Sequence, residues 1–91
     1  MVDHVELDGH HKATVEKIFS HPVSHNIQWH DVLSLLRGVA TVTVEHEGRC
    51  KVTLGSATET FDPKGHHDLD VQQVVDVRRM LTNGGITLES I

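Results

Sequence analysis

The apolar positions of this chain change period twice, and the changes divide it into elements. In HKATVEKIF, Val15, Ile18 and Phe19 recur at i, i+3 and i+4, while Lys12, Glu16 and Lys17 take the opposite side. That spacing predicts a short amphipathic helix beginning at His11. Ser20-His21-Pro22 ends it, because the residue before a proline is pushed out of the helical region. A second helix is predicted from Ile27 to Arg37. Asn26 is its expected N-cap and Gly38 its terminator. Trp29, Val32, Leu33 and Leu36 form its apolar stripe at i, i+3, i+4 and i+7, and Leu35 broadens it. This stripe is the largest apolar surface in the chain, and Trp29 is expected in the core.

From residue 39 the period becomes two. Ala40, Val42 and Val44 alternate with Thr41, Thr43 and Glu45, which describes a strand with one buried face. Glu47-Gly48 supplies a turn. Cys50, Val52 and Leu54 then alternate with Lys51 and Thr53, Gly55-Ser56 gives a two-residue hairpin signal, and residues 57–61 form a third strand that ends on Phe61. A loop over residues 62–69 carries Pro63, Gly65, His66 and His67. The last helix opens at Asp70 with Gln73 three residues on, a variant capping box. Its expected stripe is Val71, Val74, Val77 and Leu81, with Val75 beside it, and Asn83-Gly84-Gly85 closes it. The order α-α-β-β-β-α predicts a small single α+β domain, a three-stranded antiparallel meander whose one apolar face is covered by helices. The expected organisation is a mobile tail over residues 1–10, the domain over 11–86 and a C-terminal tail over 87–91.

Composition narrows the classes of function. The chain has 91 residues, a single Cys and no apolar run near the roughly 20 residues needed to span a bilayer. The single Cys excludes an internal disulfide and fits a reducing compartment. The N-terminus lacks the basic-then-apolar order of a secretion signal, so a cytoplasmic location away from membranes is expected. A formal charge of −5 disfavours nucleic-acid binding through bulk electrostatics. One Trp, two Phe and no Tyr leave little for stacking on bases. Protonation of all nine His would carry the formal charge from −5 to +4.

Three stretches carry a family resemblance: NIQWHDVLSLLRGV, the hairpin EHEGRCKVTL, and DVQQVVDVRRMLTNGGI. Across residues 15–86 the chain resembles the HicA toxins of bacterial toxin–antitoxin systems. The resemblance implies a fold related to the double-stranded RNA-binding domain, ribonuclease activity on messenger RNA and neutralisation by an antitoxin protein. The family signature is a histidine just after the hairpin turn, typically in Gly-Ser-His. The matching residues here are Gly48, Arg49 and Cys50, so the glycine is kept and the histidine is replaced. Metal-free cleavage of RNA needs a base and an acid that titrate near neutrality, which imidazole does and an ordinary thiol does not.

The remaining candidates for that chemistry are His46, across the turn from Cys50, and His66 and His67 in the loop before the last helix. Arg49, Lys51, Lys64, Arg78 and Arg79 are the candidates for phosphate contacts. No cofactor is expected and no metal site. His21 and His25 are four apart but separated by Pro22, and the chain has neither HExxH nor paired cysteines. Two functions remain open: a degenerate, non-catalytic HicA-like module that binds RNA or an antitoxin-like protein, and an active metal-independent endoribonuclease. The missing histidine and the acidic balance favour the first.

Overall fold

The computed structural model describes residues 7–22, 26–62 and 68–91. Helix α1 (Gly9–Ile18) starts two residues earlier than its apolar period suggests. Asp8 is the reason: its carboxylate accepts the His11 amide at 2.9 Å and caps the first turn. Residues 9 and 10 of the expected tail are therefore helical, and Leu7 packs against the core.

Helix α2 (Trp29–Val39) is shifted two residues along the chain from its expected range. Asn26 is not its cap. The Leu69 amide donates to the Ile27 carbonyl at 2.9 Å and Gln28 bridges to Asp68, which holds residues 27 and 28 extended. Gln28 becomes the N-cap, with no side-chain capping hydrogen bond. Gly38 does not end α2 either; the helix runs through it, and Ala40 closes the last turn by donating to Leu36 at 2.7 Å.

Strands β1 (Thr41–Val44), β2 (Cys50–Leu54) and β3 (Ala57–Phe61) form the antiparallel sheet in sequence order. Val42 pairs with Val52 and Val44 with Cys50 across the first ladder; Cys50 pairs with Phe61 and Leu54 with Ala57 across the second. A 3-10 turn at His46–Gly48 joins β1 to β2, with Gly48 at φ 82°, and Gly55 at φ 62° makes the second turn. Both are conformations that L side chains adopt only with strain.

Helix α3 (Val71–Asn83) carries the full capping box: Gln73 donates its amide to Asp70, and Asp70 donates its own to the Gln73 side chain. Its buried stripe is Val74, Val77, Met80 and Leu81. Val71, expected in that stripe, is about half exposed, and Met80 takes the place. The stripe begins one turn into the helix, so the first turn overhangs the core. After α3, Gly84 lies so close to Leu54 that a Cβ there would come 2.5 Å from Leu54 Cγ. Residues 87–91, expected as a tail, fold back instead. Ser90 is buried, its hydroxyl accepts the Thr87 amide at 2.8 Å, and Ile91 packs on the core.

Helices α2 and α3 pack on one face of the sheet, and α1 packs against both of them. Val15, Ile18, Val32, Leu35, Leu36, Val52, Val74, Val77, Met80 and Leu81 are fully buried between them. The other face carries Thr41 and Thr43 of β1, Lys51 and Thr53 of β2, and Thr58 and Thr60 of β3. This alternation is what a half-solvated antiparallel sheet requires.

Candidate functional site

The hairpin places Cys50 at the start of β2, where strand register turns its side chain into the protein. It is 3% exposed, flanked by Val44 and Phe61 on the neighbouring strands. The sulfur lies 3.9 Å from the Gly48 carbonyl. Burial pushes the thiol above its ordinary pKa; the Arg37 charge pulls the other way and Asp62 adds to the rise. A raised pKa keeps the sulfur protonated near neutral pH, whereas nucleophilic cysteines depend on the thiolate. Cys50 therefore behaves as a small apolar residue that closes one end of the core.

Of the three histidine candidates, His46 alone is among the described residues. His46 sits exposed on the 3-10 turn. His66 and His67, with Lys64, lie outside the described residues. Among the described residues there is no enclosed pocket, and no group of three or more His, Cys, Asp or Glu is placed to hold a metal ion. No described helix is long and apolar enough to cross a membrane.

The basic candidates divide into three kinds. Arg49 and Lys51 are exposed, on the side of β2 opposite Cys50. Arg79 is held by Glu59 at 3.1 Å and Asp76 at 3.2 Å, so its charge is matched within the domain. Arg78, expected at a phosphate, is a structural residue instead. Its Nε donates to the Ile18 carbonyl at 3.0 Å and its Nη2 to the Ser20 carbonyl at 3.5 Å. A helix leaves its last carbonyls without intrahelical donors; Arg78 reaches across from α3 to serve that of Ile18, the last residue of α1, and that of Ser20 just beyond it.

A second polar cluster, between α1 and α2, escapes the sequence reading. His11 Nε2 lies 2.9 Å from Ser34 Oγ, and His10 Nε2 lies 3.2 Å from Asp31 Oδ1. Asp8, already capping α1, places Oδ1 3.7 Å from His11 Nδ1. The His11 amide holds the Asp8 carboxyl below its usual pKa; desolvation opposes this, and the charges of His11 and His10 reinforce it. Asp8, His11 and Ser34 thus follow the order of an acid–base–nucleophile chain. The geometry stops short of one. A separation of 3.7 Å is longer than a hydrogen bond, and Ser34 sits within α2 with no pocket beside it among the described residues. The cluster tethers two helices. Asp31 and Ser34 stand one turn apart on α2, but nothing in the sequence pairs them with α1, because the contact is made only in the fold.

Among the described residues, one buried side-chain group is left without a partner. Trp29 packs on Phe61 with ring centroids 5.7 Å apart, and its indole Nε1 has no acceptor among the described residues. An orphaned donor of this kind costs about 1–3 kcal/mol, which the area buried by an indole offsets.

Comparison with protein-family models, with curated proteins and with solved structures finds no match to this chain.

Proposed function

We propose that this domain is a degenerate HicA-like module that binds a protein partner and has no ribonuclease chemistry of its own. The observation that carries the reading is Cys50: where the resemblance expects an accessible histidine, a protonated thiol is packed into the core. Imidazole at that point would serve as base or acid in the transfer of the 2′-hydroxyl proton, and a buried thiol of raised pKa serves as neither. The distribution of basic residues favours a protein partner over RNA. Of the candidate phosphate contacts among the described residues, Arg78 is committed within the domain and Arg79 to two carboxylates, leaving Arg49 and Lys51 exposed, on a chain of formal charge −5. By the resemblance, the partner is a small antitoxin-like protein.

The test is incubation of the purified protein with messenger RNA, together with titration of double-stranded RNA at several salt concentrations. Intact RNA and no steep salt dependence are expected. Cleavage that disappears with His46→Ala or His67→Ala would overturn the reading in favour of an active endoribonuclease. Tight, strongly salt-dependent association would overturn it in favour of an RNA-binding module.

A further inference from the structure

The two outer strands of the sheet treat their edges differently. β3 carries Glu59, which pairs with Arg79 of α3. β1 reads Thr-Val-Thr-Val, with no charge, proline or bulge, the devices by which edge strands discourage pairing. Its Val44 is 61% exposed, the most exposed of the large apolar residues described.

Which backbone groups of β1 are free follows from the ladder. The Glu45 amide donates to the Arg49 carbonyl, and this pair continues the β1–β2 register. In an antiparallel ladder, residues that exchange hydrogen bonds alternate with residues that do not. Thr43 and Thr41 therefore bond to β2, opposite Lys51 and Thr53. The N–H and C=O groups of Val42 and Val44 point away from β2, along an edge that no other described strand pairs.

We infer that this edge is a self-pairing site: two copies of the chain join antiparallel through β1, in a register centred on Thr43, as one continuous six-stranded sheet. In that register Val42 of each copy faces Val44 of the other, and each such pair exchanges both hydrogen bonds. Every outward N–H and C=O of Val42 and Val44 is then satisfied. The exposed Val44 side chain gains Val42 of the other copy as a neighbour on the helix-covered side of the sheet. A register centred on Val42 does worse, because it sets Val44 against Ala40, whose amide is already given to Leu36. Charge is compatible as well. Glu45 comes opposite Thr41 of the other copy, and the two Lys51 residues stay three strand spacings apart, about 14 Å. The contact is isologous, so it closes at two copies and does not propagate.

Four residues of edge make a small interface, in the size range of weak and transient association. This inference is independent of the RNA question, since it rests on the edge of β1 alone. The experiment is sedimentation velocity of the full chain from about 10 μM to about 1 mM. It compares the wild type with Val44→Pro, Val44→Lys and Thr60→Pro, with circular dichroism confirming that each is folded. Val44→Pro removes an outward amide without touching the β1–β2 ladder. Val44→Lys places like charges at the seam. Thr60 stands opposite Lys51, whose backbone serves β1, so Thr60→Pro removes an outward amide from the other edge. The expected result is a mass that rises toward twice the monomer for wild type and Thr60→Pro, and a monomer throughout for both Val44 variants. A wild type that stays monomeric at the highest concentration overturns the inference. So does association that survives in both folded Val44 variants, or that Thr60→Pro abolishes equally.

Discussion

The hairpin end of the sheet and the seam between α1 and α2 both carry groups capable of chemistry, and the protein uses them in opposite ways. At the hairpin, Cys50 is buried beside Phe61, and burial pushes its thiol above the ordinary pKa. At the seam, His10 and His11 are partnered by Asp31 and Ser34 in a polar junction open to water on one side. A reactive side chain in a core contributes volume. The same kind of side chain between two helices contributes direction, because its hydrogen bond fixes how the helices meet. Among the described residues, neither place has an enclosed pocket beside it.

The largest effect expected at the hairpin comes from Cys50→His. Imidazole is larger than a thiol and carries two polar nitrogens. Overpacking costs about 1–3 kcal/mol, and a buried group left short of partners costs a similar amount. A loss of stability in that range, measured by denaturant unfolding, should come with no gain in RNA cleavage. In the wild type, the Cys50 thiol should alkylate far more slowly in the folded protein than in urea. Rapid labelling of the native protein, or a Cys50→His variant as stable as the parent, would show that the hairpin end is open and would erase the contrast with the seam.

Arg78 and Arg79 sharpen the contrast between dry and wet positions, since they are adjacent in sequence and differ only in what they face. Arg78→Ala removes the donor to the Ile18 and Ser20 carbonyls and should cost about 1.5–3 kcal/mol, the range for hydrogen bonds from a charged group. Arg79→Ala breaks two exposed ion pairs and should cost about 0–1 kcal/mol. Arg78→Lys should fall between them, because an ammonium cannot reach two carbonyls with the fork of a guanidinium. Equal losses for the two alanine variants would mean that the bonds to Ile18 and Ser20 contribute little.

The arginines also show what a sequence reveals and what it withholds. The order of elements, the alternation along β2, the second hairpin turn and the capping box at Asp70 were legible, because each depends on local geometry or on a period of two or 3.6; the alternation of β1 misled at Val44, which that period puts on the buried face and which is exposed at the sheet edge. Cys50 was legible as buried for the same reason. The role of Arg78 was not, since its partners lie 58 and 60 residues away. The seam was hidden for the same cause: His11 and Ser34 are 23 residues apart. Helix ends misled where tertiary contacts intervened. Ile27 bonding to Leu69 displaced the start of α2, and the passage of α2 through Gly38 contradicted the ordinary habit of glycine as a terminator.

Gly38 gives the smallest effect and the one of opposite sign. It lies inside α2 facing α1, and its φ is not in the left-handed region, so its conformation is open to any L residue. A Cβ added there would stand 3.6 Å from His11 Cε1 and 3.7 Å from His11 Nδ1, ordinary van der Waals contact. Glycine within a helix is less favourable than alanine by about 0.8–1.0 kcal/mol, mostly through the freedom it retains in the unfolded chain. Gly38→Ala should therefore stabilise the domain by about 0.5–1 kcal/mol, read as a rise in thermal midpoint. Ser34→Ala in the same background should lower it again by about 0.5–1.5 kcal/mol, the ordinary worth of one hydrogen bond. If Gly38→Ala destabilises instead, the new methyl has displaced the His11 ring. The seam would then be as tightly packed as the hairpin end, and the difference between the two regions would lie in polarity alone.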